Sequence, residues 1–180
     1  MTSSSETVLA LVSAPKLGRR SALLATLAAL FYMQNRAFAH VHQALGAIKT
    51  VVAFEVDTWA QLLGKGPRPA AYVFTTTYCP TCPAAFEQLH AAVLASHQPV
   101  ELAAVVMDVQ GERALAHAHH YKGATRIYAF DGFEPEIRQT VDPAWRNVTP
   151  YVVLIGRSGA VQRCIGPPDA AMLKKWLSAR

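Results

Sequence analysis

Cys79 and Cys82 stand three residues apart in Tyr78-Cys79-Pro80-Thr81-Cys82-Pro83, between the apolar run Ala71-Tyr72-Val73-Phe74-Thr75 and a stretch that continues to Ser96. This spacing suits dithiol–disulfide exchange. A thiol at the start of a helix meets free N–H groups and the positive end of the helix dipole, which favour thiolate over thiol. Cys79 is therefore the expected nucleophile, forming a mixed disulfide with a partner. Cys82, one turn deeper, is the expected resolver that attacks it. Pro80 suits a first helical turn, where its missing N–H is not needed. Two other chemistries use the same spacing. A zinc site wants two more ligands and usually a second short-spaced pair, whereas only Cys164 and scattered histidines remain. A purely structural disulfide closed within one helical turn would constrain little of the unfolded chain.

The pair needs a strand and a helix to hold it. Ala71–Thr75 is short and apolar and follows the breaker Gly66-Pro67-Arg68-Pro69, as expected of a central strand buried on both faces. Apolar residues at 82, 86, 89 and 93 make Cys79–Ser96 an amphipathic helix, which Pro99 closes. Upstream, Thr50–Phe54 reads as a strand and Asp57–Leu63 as a short helix, capped by Asp57 and stopped by Gly64. Downstream, Leu102–Met107 reads as another strand, Glu112–Tyr121 as a helix, Arg126–Phe130 as a strand and Pro135–Thr140 as a helical turn. Tyr151–Ile155 and Ala160–Ile165 flank Gly156-Arg157-Ser158-Gly159, a hairpin signal. Asp169 then caps a last helix buried through Met172, Leu173, Trp176 and Leu177. Such alternation predicts an α/β sandwich with parallel central strands, finished by an antiparallel hairpin and a covering helix.

With strand, Cys-x-x-Cys and helix in this order, the chain resembles the thioredoxin superfamily. Val148-Thr149-Pro150-Tyr151 stands where that superfamily has a cis-proline opposite its cysteine pair. Cys-Pro-Thr-Cys and the ending Pro150-Tyr151-Val152-Val153-Leu154-Ile155-Gly156-Arg157-Ser158-Gly159 are similar to the exported TlpA/DsbE (CcmG)-like group. The resemblance spans Val51 to Arg180 and implies a thioredoxin-like three-layer α/β/α sandwich with a mixed central sheet. It further implies a thiol–disulfide oxidoreductase without cofactor or metal. Cys79 and Cys82 are then catalytic, while Tyr78, Pro80, Thr81, Thr149 and Pro150 form the substrate groove. The group usually reduces particular disulfides outside the cytoplasm, among them haem-binding cysteines of apocytochromes c and copper-site cysteines of respiratory oxidases, with a membrane protein as electron donor. A disulfide oxidase or isomerase of the same fold is the alternative within the enzyme class. A copper- or haem-assembly protein holding metal through Cys79, Cys82 and a histidine is the alternative outside it. Three departures leave substrate and redox direction open. Thr75-Thr76-Thr77-Tyr78 replaces the usual tryptophan-containing run, Val73 stands where cytoplasmic thioredoxins carry a buried aspartate, and Pro83 directly follows the second cysteine. With Val73 there, Glu55 and Glu134 are the candidates for handling the proton of Cys82.

The chain has 180 residues, 52% hydrophobic and 16% charged. That is one domain with its own core plus an N-terminal extension. The net charge of +5 does not signal a nucleic-acid partner, because Lys16, Arg19, Arg20 and Arg36 all precede His40, opposed there only by Glu6. In that stretch Arg19-Arg20 precede the apolar run Ala22–Met33, and Ala37-Phe38-Ala39 offers a cleavable A-x-A pattern. Residues 1–39 are thus expected to be a signal peptide, sent by the general or the twin-arginine route, with an arm at 40–49 and the domain at 50–180. A retained anchor and a first buried helix are the other readings of the run. Export implies a periplasmic location in a bacterial-type cell, where cysteine pairs can be oxidised. Cleavage after Ala39 would create His40-Val41-His42, a possible Cu(II)-binding terminus. His117, His119 and His120 read as a solvated helix face, and Cys164 as a buried small hydrophobe in the second hairpin strand.

Overall fold

The structure, a computed structural model, describes residue 48 and residues 50–178. The signal peptide expected over 1–39, the His40-Val41-His42 terminus and, apart from Ile48, the arm at 40–49 lie outside the described residues. No helix among the described residues is long and apolar enough to cross a membrane.

Six strands form one sheet: β1 (Val51–Phe54), β2 (Ala70–Thr75), β3 (Glu101–Val106), β4 (Arg126–Phe130), β5 (Tyr151–Ile155) and β6 (Val161–Ile165). Their spatial order is β1-β4-β3-β2-β5-β6. The first four run parallel, β5 is antiparallel to β2, and β6 is antiparallel to β5. The sheet is therefore mixed, as the sequence predicts. β2 lies in its interior with all six residues buried, which is why its sequence is an unbroken apolar run rather than an alternating one.

Each face of β2 faces a separate apolar layer. Tyr72 and Phe74 point into one with Phe54, Trp59, Phe130, Ile137, Trp145 and Tyr151. Ala71 and Val73 point into the other with Phe86, Leu89, Tyr121, Val152 and Trp176. The helices supply these layers. α1 (Thr58–Lys65) and α3 (Glu134–Val141) cover the first face through Trp59, Ile137 and Val141. α2 (Cys82–Ser96) and α4 (Ala170–Ser178) cover the second. Helix, sheet and helix make the three-layer sandwich. Trp176 ties α4 to the sheet by burying its ring and donating its indole N–H to the Ile155 carbonyl at 3.0 Å. Asp169 caps α4 as expected, accepting the Met172 N–H at 2.7 Å.

Four expectations need correcting. α2 begins at Cys82, not Cys79, so Cys79 and Pro80 lie in the turn ahead of it. Pro83 occupies the first-turn position expected for Pro80, and it fits there because that N–H has no helical partner in any case. α1 runs through Gly64 and ends against Gly66, whose N–H bonds the Leu62 carbonyl. Gly111–His120 is a 3-10 helix rather than an α-helix. Its single fully buried residue, Ala114, offers little of the packed face from which α-helices in proteins draw most of their stability.

Candidate active site

Strand register brings the site together. Phe74 pairs with Tyr151 and Thr75 with Val106, so the turn leaving β2 at Thr76 and the segment entering β5 at Pro150 share one end of the sheet. That end carries Cys79 on the β2–α2 turn, Cys82 at the start of α2 and Thr149-Pro150 in the segment entering β5. The Thr149–Pro150 peptide bond is cis.

Cys79 and Cys82 are joined, S–S 2.01 Å and Cα–Cα 5.5 Å. Their surroundings differ. Cys79 is partly exposed in the turn, whereas Cys82 is 1% exposed as the first residue of α2. An incoming partner thus has access to one sulfur. Thr81 is the N-cap of α2 yet makes no side-chain cap bond, and its hydroxyl lies 3.9 Å from Cys79 Sγ instead. No acidic residue occupies the first turn, so nothing there neutralises the positive end of the helix. These features favour a thiolate at Cys79 once the disulfide is reduced. Thr81→Ala is expected to slow alkylation of reduced Cys79, readable as its labelling rate with iodoacetamide at neutral pH.

The residues ahead of the pair are pinned by a carboxylate the sequence reading does not single out. Asp108, two residues beyond β3, accepts the Thr77 N–H at 2.9 and 3.0 Å and the Thr77 hydroxyl at 2.5 Å. The Cys79 N–H bonds the Thr76 carbonyl at 3.2 Å, closing the turn. The available signal was positional: Asp108 is the first polar residue past the carboxyl end of a parallel strand next to β2, where α/β sheets gather functional groups. Glu55 and Glu134 are not brought to the cysteines. They follow β1 and β4, three and two strands from β2, and Glu134 is bonded to Arg138 at 3.0 Å. Val73 lies within the apolar layer. Beside it on the same face, the Thr75 hydroxyl lies 3.4 Å from that of Tyr121, whose pKa is raised by burial.

A second network fixes the segment entering Thr149-Pro150. The Trp145 ring stacks on Tyr151 at 4.3 Å and 14° and meets Phe74 edge-on at 5.2 Å. Its indole N–H bonds the Val148 carbonyl at 3.0 Å, and the Tyr151 hydroxyl donates to Asp142. That bond is the main cause holding the Asp142 carboxyl below its ordinary 3.8; burial opposes it, while the Ala144 N–H and Arg163 assist. A depressed carboxyl adds stability that is complete above its unfolded value and is lost as the pH falls through the folded one. Tyr151→Phe is therefore expected to unfold more readily than the parent by about 1 kcal/mol at neutral pH. The difference should begin to shrink near the ordinary 3.8 and close as the pH falls through the lower folded value, as read by denaturant titration across pH.

Elsewhere, Cys164 on β6 is half-buried against the α4 side, its Sγ 3.6 Å from the Gly166 carbonyl, and burial pushes its thiol up. The His119 and His120 rings lie 3.8 Å apart, with His117 6.2 Å from His120. No group of three or more His, Cys, Asp or Glu among the described residues is arranged to hold a metal ion.

The described residues thus form a thioredoxin-like α/β sandwich with a cysteine pair at the junction of a central strand and a helix. No protein-family model and no curated protein matches the chain. Among solved structures it is similar to a thioredoxin-related protein from Neisseria meningitidis serogroup B, at 15% identity and a TM-score of 0.48 over 64% of this chain and 87% of that one. It is also similar to dsbF of MTB, at 18% identity and a TM-score of 0.46 over 76% of this chain and 95% of that one. A thio-disulfide isomerase from Thermus thermophilus matches at 19% identity and a TM-score of 0.47, over 66% and 84% of the two chains.

Proposed function

We propose that the chain is an exported thiol–disulfide oxidoreductase that reduces disulfides of proteins outside the cytoplasm through Cys79 and Cys82. The observation that carries this is the asymmetry of the pair: Cys79 is accessible in front of an uncapped helix start, and Cys82 is buried behind it. In the reduced protein the Cys79 thiolate attacks one sulfur of a partner disulfide, and the other partner sulfur leaves as a thiolate. Cys82, deprotonated, then attacks Cys79 Sγ. The mixed disulfide breaks, the partner leaves with two electrons, and the Cys79–Cys82 disulfide remains. Tyr78, Pro80, Thr81, Thr149 and Pro150 are the residues over which the partner chain lies. The basic, apolar and A-x-A pattern read in residues 1–39 as a signal peptide supports a periplasmic site of action. There a membrane electron-donor protein would restore the dithiol, and apocytochromes c or copper-site proteins are the substrates the family resemblance suggests.

Transfer of stoichiometric electrons tests this reading. The full chain, reduced and freed of reductant, should lose its dithiol while reducing an equivalent of insulin disulfide. A dithiol that persists unchanged beside insulin would overturn it.

The proton of Cys82 needs an acceptor, and Asp108 is the carboxylate bonded to the cysteine turn. Asp108→Asn keeps acceptor oxygen for the Thr77 N–H but removes the charge. It is expected to slow release of a trapped partner at neutral pH by at least about tenfold, with the rate recovering as pH rises. An unchanged pH profile in rapid-quench experiments would remove Asp108 from this role.

A further inference from the structure

Five of the seven large apolar side chains left exposed among the described residues lie at the cysteine end of the sheet: Val56, Tyr78, Phe133, Val148 and Ile165. Register makes this a row rather than a scatter. Phe54 pairs with Phe130, Thr75 with Val106, Phe74 with Tyr151, and Tyr151 with Ile165, so the strand ends next to these residues line up across the whole sheet. At about 4.8 Å per strand, six strands span roughly 24 Å, the reach of about seven extended residues.

Phe133 is the informative member. It is 70% exposed and occupies the N-cap of α3, where it makes no side-chain cap bond. Ser, Thr, Asp or Asn would stabilise that helix better. Gly132 ahead of it has φ 136°, a region L side chains rarely adopt, which lets the chain turn outward there. A residue that breaks the local rule without a folding benefit is what a binding position looks like.

Charge sets the chemistry of the occupant. Around Val56 and Phe133 stand Glu55, Asp57, Asp131, Glu134 and Glu136. Glu55 and Asp131 directly follow the paired ends of β1 and β4, and the Asp131 N–H bonds the Phe54 carbonyl at 3.1 Å. Arg138 is paired with Glu134, while Glu55, Asp57, Asp131 and Glu136 enter no salt bridge among the described residues. The rim is thus apolar beside the cysteines and acidic toward β1 and β4.

We infer that this rim is a docking surface for an extended polypeptide whose disulfide is flanked by apolar residues and then by lysine or arginine. The inference rests on the reading of Cys79–Cys82 as an exchange site and narrows its substrate class. β4 and β1 lie two and three strands from β2, about 10–14 Å away, so the basic residue belongs three or four extended positions from the reacting cysteine. An apolar strip beside Cys79 holds the chain, and the carboxylates fix how far along it slides. Potentials of opposite sign raise encounter rates more than they raise affinity.

Synthetic disulfide peptides of equal length test the inference with the reduced full chain. One carries apolar residues and then lysine beyond its cysteine, a second has glutamate for lysine, a third has serine for the apolar residues, and 2-hydroxyethyl disulfide serves as a substrate too small to reach the rim. The apolar–lysine peptide is expected to be reduced about tenfold faster than either variant, and the advantage over the glutamate peptide should shrink with added salt. Phe133→Ala and Glu136→Gln should each remove part of the preference and leave 2-hydroxyethyl disulfide untouched. Equal rates for the three peptides, with normal reduction of 2-hydroxyethyl disulfide, would overturn the docking surface and spare the exchange site. Failure on every disulfide would overturn both. A chain that sediments as a dimer, and as a monomer after Phe133→Ala, would give the rim to self-association and overturn the proposal.

Discussion

Cys79→Ser is expected to abolish disulfide reduction, a loss of at least about a thousandfold against insulin, because no other accessible thiol stands in front of a helix N-terminus. Cys164 cannot replace it, since it is half-buried and its thiol is held protonated. Cys82→Ser is expected to fail differently. Cys79 would still attack, but nothing would displace the partner, so a covalent adduct should accumulate and be released by added reductant. The two variants fold alike, because a disulfide closing one turn contributes little to stability. Gel mobility with and without reductant reads the difference. Adducts with Cys79→Ser rather than Cys82→Ser would reverse the roles of nucleophile and resolver. An absence of adducts with either would remove the pair from the chemistry.

The largest effect of a residue outside the cysteine turn is expected at Trp145. Its ring is 3% exposed, stacked on Tyr151 and packed against Phe74, and its indole N–H holds the Val148 carbonyl one residue before Thr149. Trp145→Ala removes this packing and leaves a cavity between the sheet and the segment 142–149, at a cost of about 3–5 kcal/mol. Trp145→Phe keeps most of the ring but loses the hydrogen bond, at a cost of about 1 kcal/mol. Chemical denaturation separates the two. If the segment positions partner polypeptides, the Phe variant should also show a raised KM for insulin with an unchanged rate toward 2-hydroxyethyl disulfide.

The sequence carried the scaffold of this site well and its supporting contacts poorly, for a physical reason. β2 was legible because burial on both faces demands an unbroken apolar run. The Cys-x-x-Cys turn was legible because few chemistries use that spacing. The last hairpin and helix announced themselves through Gly156-Arg157-Ser158-Gly159 and the cap at Asp169. The start of α2 was misplaced by three residues because Pro80 and Pro83 both suit a first turn, and only the folded chain distinguishes them. Glu112–Tyr121 reads as an ordinary helix, and Gly111–His120 proves to be a 3-10 helix, because local pattern cannot weigh how little of its face is packed. Asp108, Trp145 and the Tyr151–Asp142 bond depend on register between strands and on where a returning segment packs. Glu55 and Glu134 were proposed for the same proton from sequence alone, but strand order takes both away from the cysteines.

The same geometry accounts for an apolar residue at position 73. Val73 completes the apolar layer against Phe86 and Leu89. The polar groups of the site begin two residues later on that face, at Thr75 and Tyr121, and beyond the strand end, at Asp108 and Thr77.

The direction of electron flow is the central claim, and the reduction potential of the Cys79–Cys82 couple tests it most directly. Full-length protein equilibrated in glutathione or dithiothreitol buffers should titrate near or below about −250 mV, as expected of a dithiol that gives its electrons to partner disulfides. A value near about −120 mV would contradict the account, because a couple that oxidising would form disulfides rather than reduce them.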